Sequence, residues 1–373
     1  MEPDRYLRHA LIDWFDQPRL QAARVAVVGA GAIGNEAVKN LALLGVGAID
    51  VCDFDAVELH NLTRSIFLRE TDVGAAKAEA VARRAAEVDP NVTVRALPGD
   101  LWQVFSVSTL QGYDCVIAAV DNFEARLRLN QLCLLAAVDL VNAAIDSRYV
   151  TVESFPFGST PGSACYECHL PESAYARVAE RYSCGGLRRR AHAERKVPTT
   201  AVTASVAGAL AVSFALRLAA QPGTAARRVF CDTLAGRSQV AAVEPSQGCP
   251  ACGAAAPPQV VRVRNRWSPG PAGSGLAPQA DDCELRLSDA LVTALRCANC
   301  GDPPGASALL HRRAADLDDS VTLCAGCGQP AISVETRDRF SVAELATRFG
   351  TAPVPAKFAL AEIGGRRICF DLE

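Results

Sequence analysis

The alternation of apolar and polar positions in the first part of the chain predicts strands followed by helices. Residues 24–34 read RVAVVGAGAIG, a run of small and β-branched residues that meets a glycine-rich turn. Val38, Leu41 and Leu44 follow at helical spacing, and Gly45 stands where a helix C-cap is expected. This order predicts a buried strand, a tight turn and an amphipathic helix.

The same pattern continues downstream. AIDVCDFD, at 48–55, predicts a second strand ending in acidic residues, and DCVIAAVDN, at 114–122, a fourth strand ending in polar ones. A helix is predicted from Lys77 to Val88, a third strand from Val92 to Ala96 and a fifth from Leu140 to Ala144. Strands alternating with helices indicate an α/β fold with a Rossmann-like, mostly parallel sheet and helices on both faces.

One uncharged stretch, Val197 to Leu216, is roughly the ~20 residues long that a membrane span requires. It consists mainly of Ala, Thr, Ser and Val, with Pro198 at its start, so we predict a buried helix and no membrane partner. Further on, residues 254–279 are dense in Pro, Gly and Ala. We therefore predict a domain at 1–255, a linker at 256–279 and a small C-terminal domain at 280–373.

Composition narrows the functional classes. The 373 residues include 38 basic and 41 acidic ones, a near-balance that gives no reason to expect nucleic-acid binding. The opening MEPDRYLRHALIDW has no apolar signal-peptide core, and the 15 cysteines are an odd number, which suits a disulfide framework poorly. We expect a cytoplasmic protein whose paired cysteines bind metal.

The glycine turn has the spacing of a nucleotide-binding motif. Gly29, Gly31 and Gly34 form G-x-G-x-x-G between a strand and a helix, where phosphate can approach the backbone. Asp53 ends the next strand, about 20 residues on, where a carboxylate can bind ribose hydroxyls. Alone, this motif would suggest an NAD-dependent oxidoreductase.

Charged residues downstream favour a nucleoside triphosphate instead. Arg and Lys neutralise phosphate charge, and a carboxylate can hold the Mg²⁺ that bridges phosphate oxygens. Such residues follow the second and fourth strands, in DFDAVELHNLTR, DVGAAKA and AAVDN. The candidate ATP-binding residues, besides the glycines, are Asp53, Asp55, Asn61, Arg64, Lys77, Asp121 and Asn122.

Four Cys-x-x-Cys segments, called knuckles below, form two pairs that suggest structural zinc. Four thiolates complete a closed tetrahedral site with no open ligand position. The first quartet is Cys165, Cys168, Cys249 and Cys252, and the second, spaced like a zinc ribbon, is Cys297, Cys300, Cys324 and Cys327. We expect core packing for the cysteines in apolar runs, which are Cys52, Cys115, Cys133 and Cys231.

The ordered series RYLRH, GAGAIG, DFDAVELHNLTR, DVGAAKA, AAVDN and two Cys-x-x-Cys pairs resembles the ubiquitin-activating enzyme superfamily, in particular its MoeB/ThiF branch. The resemblance covers roughly residues 1–255. It implies ribose binding by Asp53 and Mg²⁺ binding by Asp121, and triphosphate contacts by three side chains, Asn61, Arg64 and Lys77. It further implies a homodimer in which Arg8 enters the partner's site as an arginine finger. Ser65 and His9 depart from the family pattern.

Cys184, in RYSCGG, stands where the family places its acyl-accepting cysteine. The surrounding basic segment, Ala174 to Lys196, would favour a thiolate, and the flanking glycines would give access. The alternative is a loop cysteine beside a solvated basic stretch. Some members of the family stop at the acyl-adenylate and need no such cysteine.

The resemblance implies ATP-dependent adenylation of the C-terminal carboxylate of a ubiquitin-like protein that ends in Gly-Gly. Our main hypothesis continues with thioester transfer to Cys184 and delivery to a conjugating enzyme. An alternative is activation of a sulfur-carrier protein for thiocarboxylate formation in cofactor biosynthesis or tRNA thiolation. Peptide adenylation in natural-product maturation is a further alternative, and a non-catalytic scaffold belongs to a different class.

Overall fold

A computed structural model describes residues 5–171, 173, 198–253, 257–265, 283–317 and 319–373. The chain divides into two compact units. Among the described residues, the first unit takes in those up to Leu170 and from 198 to Pro257, and the second takes in Pro171, Ser173 and those from Pro258 to Glu373.

The first unit is built on an eight-stranded sheet in the order β3-β2-β1-β4-β5-β6-β7-β8. The strands are β1 (Arg24–Val28), β2 (Ala48–Asp53), β3 (Thr93–Pro98), β4 (Cys115–Ala118), β5 (Asp139–Ile145), β6 (Tyr149–Phe155), β7 (Arg227–Asp232) and β8 (Arg237–Ala242). In this spatial order, the first five strands, β3-β2-β1-β4-β5, run parallel to their neighbours. The pairs β5–β6, β6–β7 and β7–β8 are antiparallel. The Rossmann-like, parallel-rich sheet is confirmed, with an antiparallel extension.

The predicted glycine turn joins β1 to a helix, and the helices of the unit cover the sheet. They are α1 (Gln17–Ala22), α2 (Ala32–Leu43), α3 (Lys77–Ala85), α4 (Leu101–Val104), α5 (Val107–Leu110), α6 (Phe123–Ala136) and α7 (Ala201–Ala220). The chain order reverses between β1 and β4, so a crevice opens at the carboxyl ends of these two strands. This crevice positions the candidate site.

Some predicted boundaries are corrected. The third strand is Thr93–Pro98 rather than Val92 to Ala96, because its register follows β2, with Thr93 opposite Ala48 and Pro98 opposite Asp53. The helix predicted from Lys77 to Val88 ends at Ala85. Periodicity places an element, whereas pairing and capping decide where it ends.

The uncharged stretch forms α7, which begins at Ala201 rather than at Val197. By length and composition α7 could cross a membrane, and half of its most apolar window is buried inside the protein. It packs on α2 and on β5 and β6. The close approach to α2 depends on Gly208, where a Cβ would overlap the Cβ of Glu36 and lie 3.0 Å from the backbone nitrogen of Ala37.

The second unit contains a five-stranded sheet in the order β11-β10-β12-β13-β9. Its elements are β9 (Gln259–Val263), β10 (Glu284–Cys297), β11 (Ile332–Ser341), α8 (Val342–Phe349), β12 (Phe358–Ile363) and β13 (Arg366–Leu372). The predicted linker 256–279 is corrected in part, because residues 259–263 pair in parallel with β13. The second cysteine quartet begins at Cys297, the last residue of β10.

Candidate nucleotide site and cysteine clusters

The turn between β1 and α2 is built from the three predicted glycines. Gly29 has a φ of +98°, and a Cβ there would lie 2.5 Å from the carbonyl oxygen of Ala119. A Cβ at Gly34 would overlap the carbonyl oxygen of Gly29. A Cβ at Gly31, the N-cap of α2, meets nothing within 4 Å. The turn is therefore tightly packed inside and open at the helix N-terminus, which fits an approaching phosphate.

Asp53 ties the end of β2 to this turn. One carboxylate oxygen accepts a hydrogen bond from the backbone nitrogen of Ala30 at 2.6 Å, and the other from that of Asp55 at 2.7 Å. Burial raises the pKa of Asp53, partly offset by these two hydrogen bonds. Each oxygen keeps a second lone pair, so the fixed carboxylate can also accept from ribose hydroxyls.

Lys77 and Asp55, both predicted to bind ATP, form an ion pair. The Lys77 Nζ lies 2.7 Å from a carboxylate oxygen of Asp55. The lysine side chain is 9% exposed and that of Asp55 48% exposed. A bridge between Ala56 and Ala76 fixes the two segments side by side. Because the carboxylate partner of this ammonium is solvent-exposed, a phosphate oxygen can take its place.

Asn61 and Arg64 lie in and just after a 3₁₀ turn, Leu59–Thr63. The buried amide of Asn61 accepts from the backbone nitrogen of Glu58 at 2.9 Å, and its nitrogen lies 3.2 Å from the ring of His60. Arg64 donates to the carbonyl oxygen of His60 at 2.7 Å. Both side chains thus have local structural partners, which a triphosphate would have to replace or share.

Asp121 is exposed in the loop between β4 and α6, at the same edge of the sheet as the glycine turn. Asn122, predicted to bind the nucleotide, is the N-cap of α6 and accepts from the backbone nitrogen of Ala125 at 2.8 Å. An exposed carboxylate at this edge is of the ligand type that Mg²⁺ prefers.

Arg8 precedes a 3₁₀ turn, His9–Leu11, and is exposed. Among the residues that the structure describes, its guanidinium has no hydrogen bond and no ion pair. It therefore differs from Lys77, whose partner lies within the site.

Sequence reasoning missed a buried polar network behind the site. Arg126 on α6 donates to Asn142 and to the carbonyl oxygen of Val120, and Asn142 donates to Glu153 at 2.8 Å. Arg228 closes the network with a contact to Glu153 at 2.6 Å. The available signal was an arginine inside the leucine-rich run that forms α6, since unpaired charges are rarely buried.

The first cysteine quartet has the geometry of a tetrahedral metal site. The sulfur of Cys165 lies 3.6 Å from that of Cys249, and Cys168 lies 3.5 Å from Cys252. A zinc–sulfur bond of about 2.3 Å in a tetrahedron separates sulfurs by about 3.8 Å. All four side chains are buried. The donors therefore fit zinc, which would join the segment at 165–168 to that at 249–252.

The second quartet has the same spacing in a more open setting. Cys297 lies 3.6 Å from Cys327, and Cys300 lies 3.4 Å from Cys324, sulfur to sulfur. Cys300 is exposed and Cys327 half-buried. The amide of Asn299 donates to Cys327 at 3.7 Å. These four thiols also fit zinc.

Seven cysteines lie outside the two quartets; of these, Cys369 is buried and Cys283 half-buried, and neither has a predicted role. Cys52, Cys115 and Cys133 are buried as predicted, and burial raises the pKa of Cys52 to about 12, so it is an inert core thiol. Cys231 is half-buried. Cys184 and the basic segment around it lie outside the described residues.

Comparison with known proteins agrees with this geometry. The sequence profile of the ThiF family matches residues 4–251. The SAMP-activating enzyme E1 of Haloferax volcanii is 30% identical over 255 residues, which are 67% of this chain and 88% of that protein. The sulfur carrier protein adenylyltransferase of Thermus thermophilus is 35% identical over 176 residues, 46% of this chain and 65% of that protein.

Among solved structures, E. coli MccB with ATP superposes with a TM-score of 0.55 at 23% identity, over 68% of this chain and 75% of that one. A likeness at this identity concerns the fold alone. The region that the family profile matches, residues 4–251, contains the glycine turn and every candidate ATP-binding residue.

Proposed function

The chain belongs to the ThiF family, and on that premise we propose that it adenylates the C-terminal carboxylate of a small sulfur-carrier or ubiquitin-like protein ending in Gly-Gly. The single observation that carries this proposal is the glycine turn, open at Gly31 and flanked by Asp53 and the Lys77–Asp55 pair. The similar relatives are named for activating SAMP and a sulfur carrier. These names support the sulfur-carrier alternative more closely than conjugation.

The proposed reaction forms one bond and breaks another. A carboxylate oxygen of the carrier attacks the α-phosphorus of ATP, the bond to the β-phosphate oxygen breaks, and pyrophosphate leaves. Asp53 orients the ribose, while Lys77 leaves Asp55 to neutralise the departing phosphates together with Arg64. Asp121 would hold Mg²⁺, which supplies charge neutralisation on the phosphates. The product is an acyl-adenylate.

ATP–pyrophosphate exchange tests this proposal. Purified chain, ATP, Mg²⁺ and labelled pyrophosphate are combined with candidate small proteins ending in Gly-Gly, and label should enter ATP only when a competent carrier is present. A carrier lacking its last two residues is the matched control. Asp121→Ala should abolish the exchange. Absence of exchange with every carboxylate-bearing carrier would refute adenylation.

Arg8 is proposed to act in the partner protomer of a homodimer, because its exposed side chain has no partner among the described residues. Arg8→Ala and Asp121→Ala chains, each inactive alone, should regain activity when mixed. Random mixing of a two-fold dimer should restore about a quarter of the wild-type rate. No recovery in mixtures shown to exchange subunits would mean that Arg8 acts within its own chain or not at all.

The product formed from the acyl-adenylate is proposed to distinguish a sulfur-carrier function from conjugation. With a sulfur donor present, the sulfur-carrier function yields a thiocarboxylate on the carrier, visible as a mass gain. Conjugation would instead yield a reductant-sensitive thioester on Cys184, which Cys184→Ala should eliminate while exchange continues. Equal thioester yield in that variant would exclude Cys184 as the nucleophile.

A further inference from the structure

The helix α6 carries two polar residues on one face, in line with its N-cap Asn122. Asn122, Arg126 and Asn130 are four residues apart, so they lie above one another on the helix surface. Arg126 is 9% exposed and Asn130 is fully buried. Buried polar groups are retained at a cost unless every one is bonded. This face therefore has defined partners at both of its ends.

At the amino end of α6, Arg126 holds the loop that bears Asp121. Its guanidinium donates to the carbonyl oxygen of Val120, the residue before Asp121. It also donates to Asn142 and, at 2.8 Å, to the carbonyl oxygen of Ala143 on β5. A planar guanidinium bonded on two sides fixes the loop relative to the sheet.

One turn further along α6, Asn130 holds the first cysteine knuckle. Its side-chain oxygen accepts from the backbone nitrogen of Tyr166 at 3.0 Å, and its nitrogen donates to the carboxylate of Glu167 at 3.0 Å. Both partners lie between Cys165 and Cys168. The helix that begins beside Asp121 is thus hydrogen-bonded to the segment whose geometry a bound metal would fix.

We propose that the polar face of α6, which places Arg126 and Asn130 between the Asp121 loop and the Cys165–Cys168 knuckle, couples nucleotide binding to metal retention. Arg126 and Asn130 are positioning residues. The inference rests on the proposed function, because Mg·ATP is the ligand at the Asp121 end. Coupling between two binding sites is reciprocal, so Mg·ATP must tighten metal binding at the first quartet by the factor by which the metal tightens Mg·ATP.

The test measures zinc affinity rather than catalysis. The holoprotein is equilibrated with a graded zinc-selective chelator, with and without Mg·ATP and without any carrier protein. Free thiols are then alkylated, and peptide mass spectrometry reads protection at each cysteine. Mg·ATP should raise the zinc affinity of the first quartet by about 5-fold or more, the range of ordinary coupling energies. The second quartet serves as an internal control and should not change.

A charge-compensated pair of variants isolates the helix. Asn130→Asp removes the donor to Glu167 and sets two carboxylates together, so the effect of Mg·ATP on the first quartet should disappear. Adding Glu167→Gln supplies an amide that donates to the new carboxylate, and the effect should return. This double variant also shows that loss in the single variant does not reflect misfolding.

Nucleotide binding is measured in parallel with a fluorescent ATP analogue. If the analogue binds but zinc affinity at the first quartet does not change, the coupling is refuted and adenylation stands. Persistence of the full effect in Asn130→Asp would also refute the coupling. Absence of nucleotide binding would overturn the proposed function and this inference with it.

Discussion

The two cysteine quartets have similar sulfur–sulfur distances but different surroundings. All four cysteines of the first quartet are buried, and the segment between Cys165 and Cys168 is hydrogen-bonded to α6. The second leaves Cys300 exposed and receives a long contact from Asn299. Equal ligand geometry therefore does not mean equal roles. A metal at the first quartet would lie in the interior of the unit that carries the glycine turn, whereas one at the second would lie at a surface.

The largest expected difference between the quartets is in stability. Structural zinc contributes an apparent ~10–16 kcal/mol in small zinc-binding peptides at neutral pH, and a buried site leaves no substitute for it. Cys165→Ser should therefore lower the unfolding transition of the first unit strongly. Cys300→Ser should lower only the transition of the second unit. Calorimetry with metal analysis checks both, and equal losses would remove the contrast.

Two glycines of the first unit should differ in what they are needed for: Gly31 for ligand binding and Gly208 for helix packing. Gly31→Ala should leave the melting temperature nearly unchanged, because the added Cβ meets nothing. It should nevertheless weaken ATP binding severely, since the proposed phosphate site lies in that space. Gly208→Ala should instead destabilise the unit by about 1–3 kcal/mol through overpacking against α2. Fluorescent-nucleotide titration and thermal melts measure the two effects.

If Gly31→Ala bound ATP normally, the open side of the turn would not be the phosphate site. Gly248→Ala is the matched control, because a Cβ there also meets nothing within 4 Å. It should change neither quantity.

A smaller effect on stability is expected at Asp50, a buried charge of the first unit. Asp50 is buried; desolvation raises its pKa, but hydrogen bonds from Arg95, Tyr113 and Arg24 outweigh this and leave the pKa lowered. A carboxyl whose pKa is lower in the folded state stabilises it above the unfolded pKa of about 3.9, and this contribution is lost as pH falls through the folded value. Asp50→Asn should cost about 1–3 kcal/mol at neutral pH.

Denaturant titrations between pH 7 and pH 2 measure this pH dependence. The difference in unfolding free energy between wild type and Asp50→Asn should become smaller in acid. A difference in unfolding free energy that did not change with pH would mean that Asp50 acts through packing alone.

The smallest effect is expected at the ion pairs of the second unit. Arg339 and Glu284 lie 3.0 Å apart with side chains 60% and 61% exposed. Exposed pairs contribute about 0–1 kcal/mol and are screened by salt. Glu284→Gln should therefore change unfolding free energy by less than about 1 kcal/mol, and the change should vanish in high salt. A larger loss would show that the surface of this unit is better ordered than its exposure indicates.

The sequence alone determined the parts of this protein that depend on local pattern. A strand meeting G-x-G-x-x-G predicted the turn at Gly29, because strand periodicity and glycine freedom are properties of neighbouring residues. Cys-x-x-Cys spacing predicted both quartets, because each knuckle is set by four consecutive residues. Acidic residues at strand ends placed Asp53 and Asp121 at one edge, because parallel strands share their carboxyl edge.

Only the tertiary structure decided features that depend on partners distant in the chain. Strand β9 falls in a Pro- and Gly-rich segment and exists through pairing with β13, about a hundred residues away. Asn122 matches a nucleotide-binding motif yet caps α6, because an amide bonds the nearest free backbone nitrogen. Arg126 resembles a surface charge until β5 and the loop after β4 surround it with acceptors. Burial and long-range pairing are sums over the whole fold, so no window of sequence contains them.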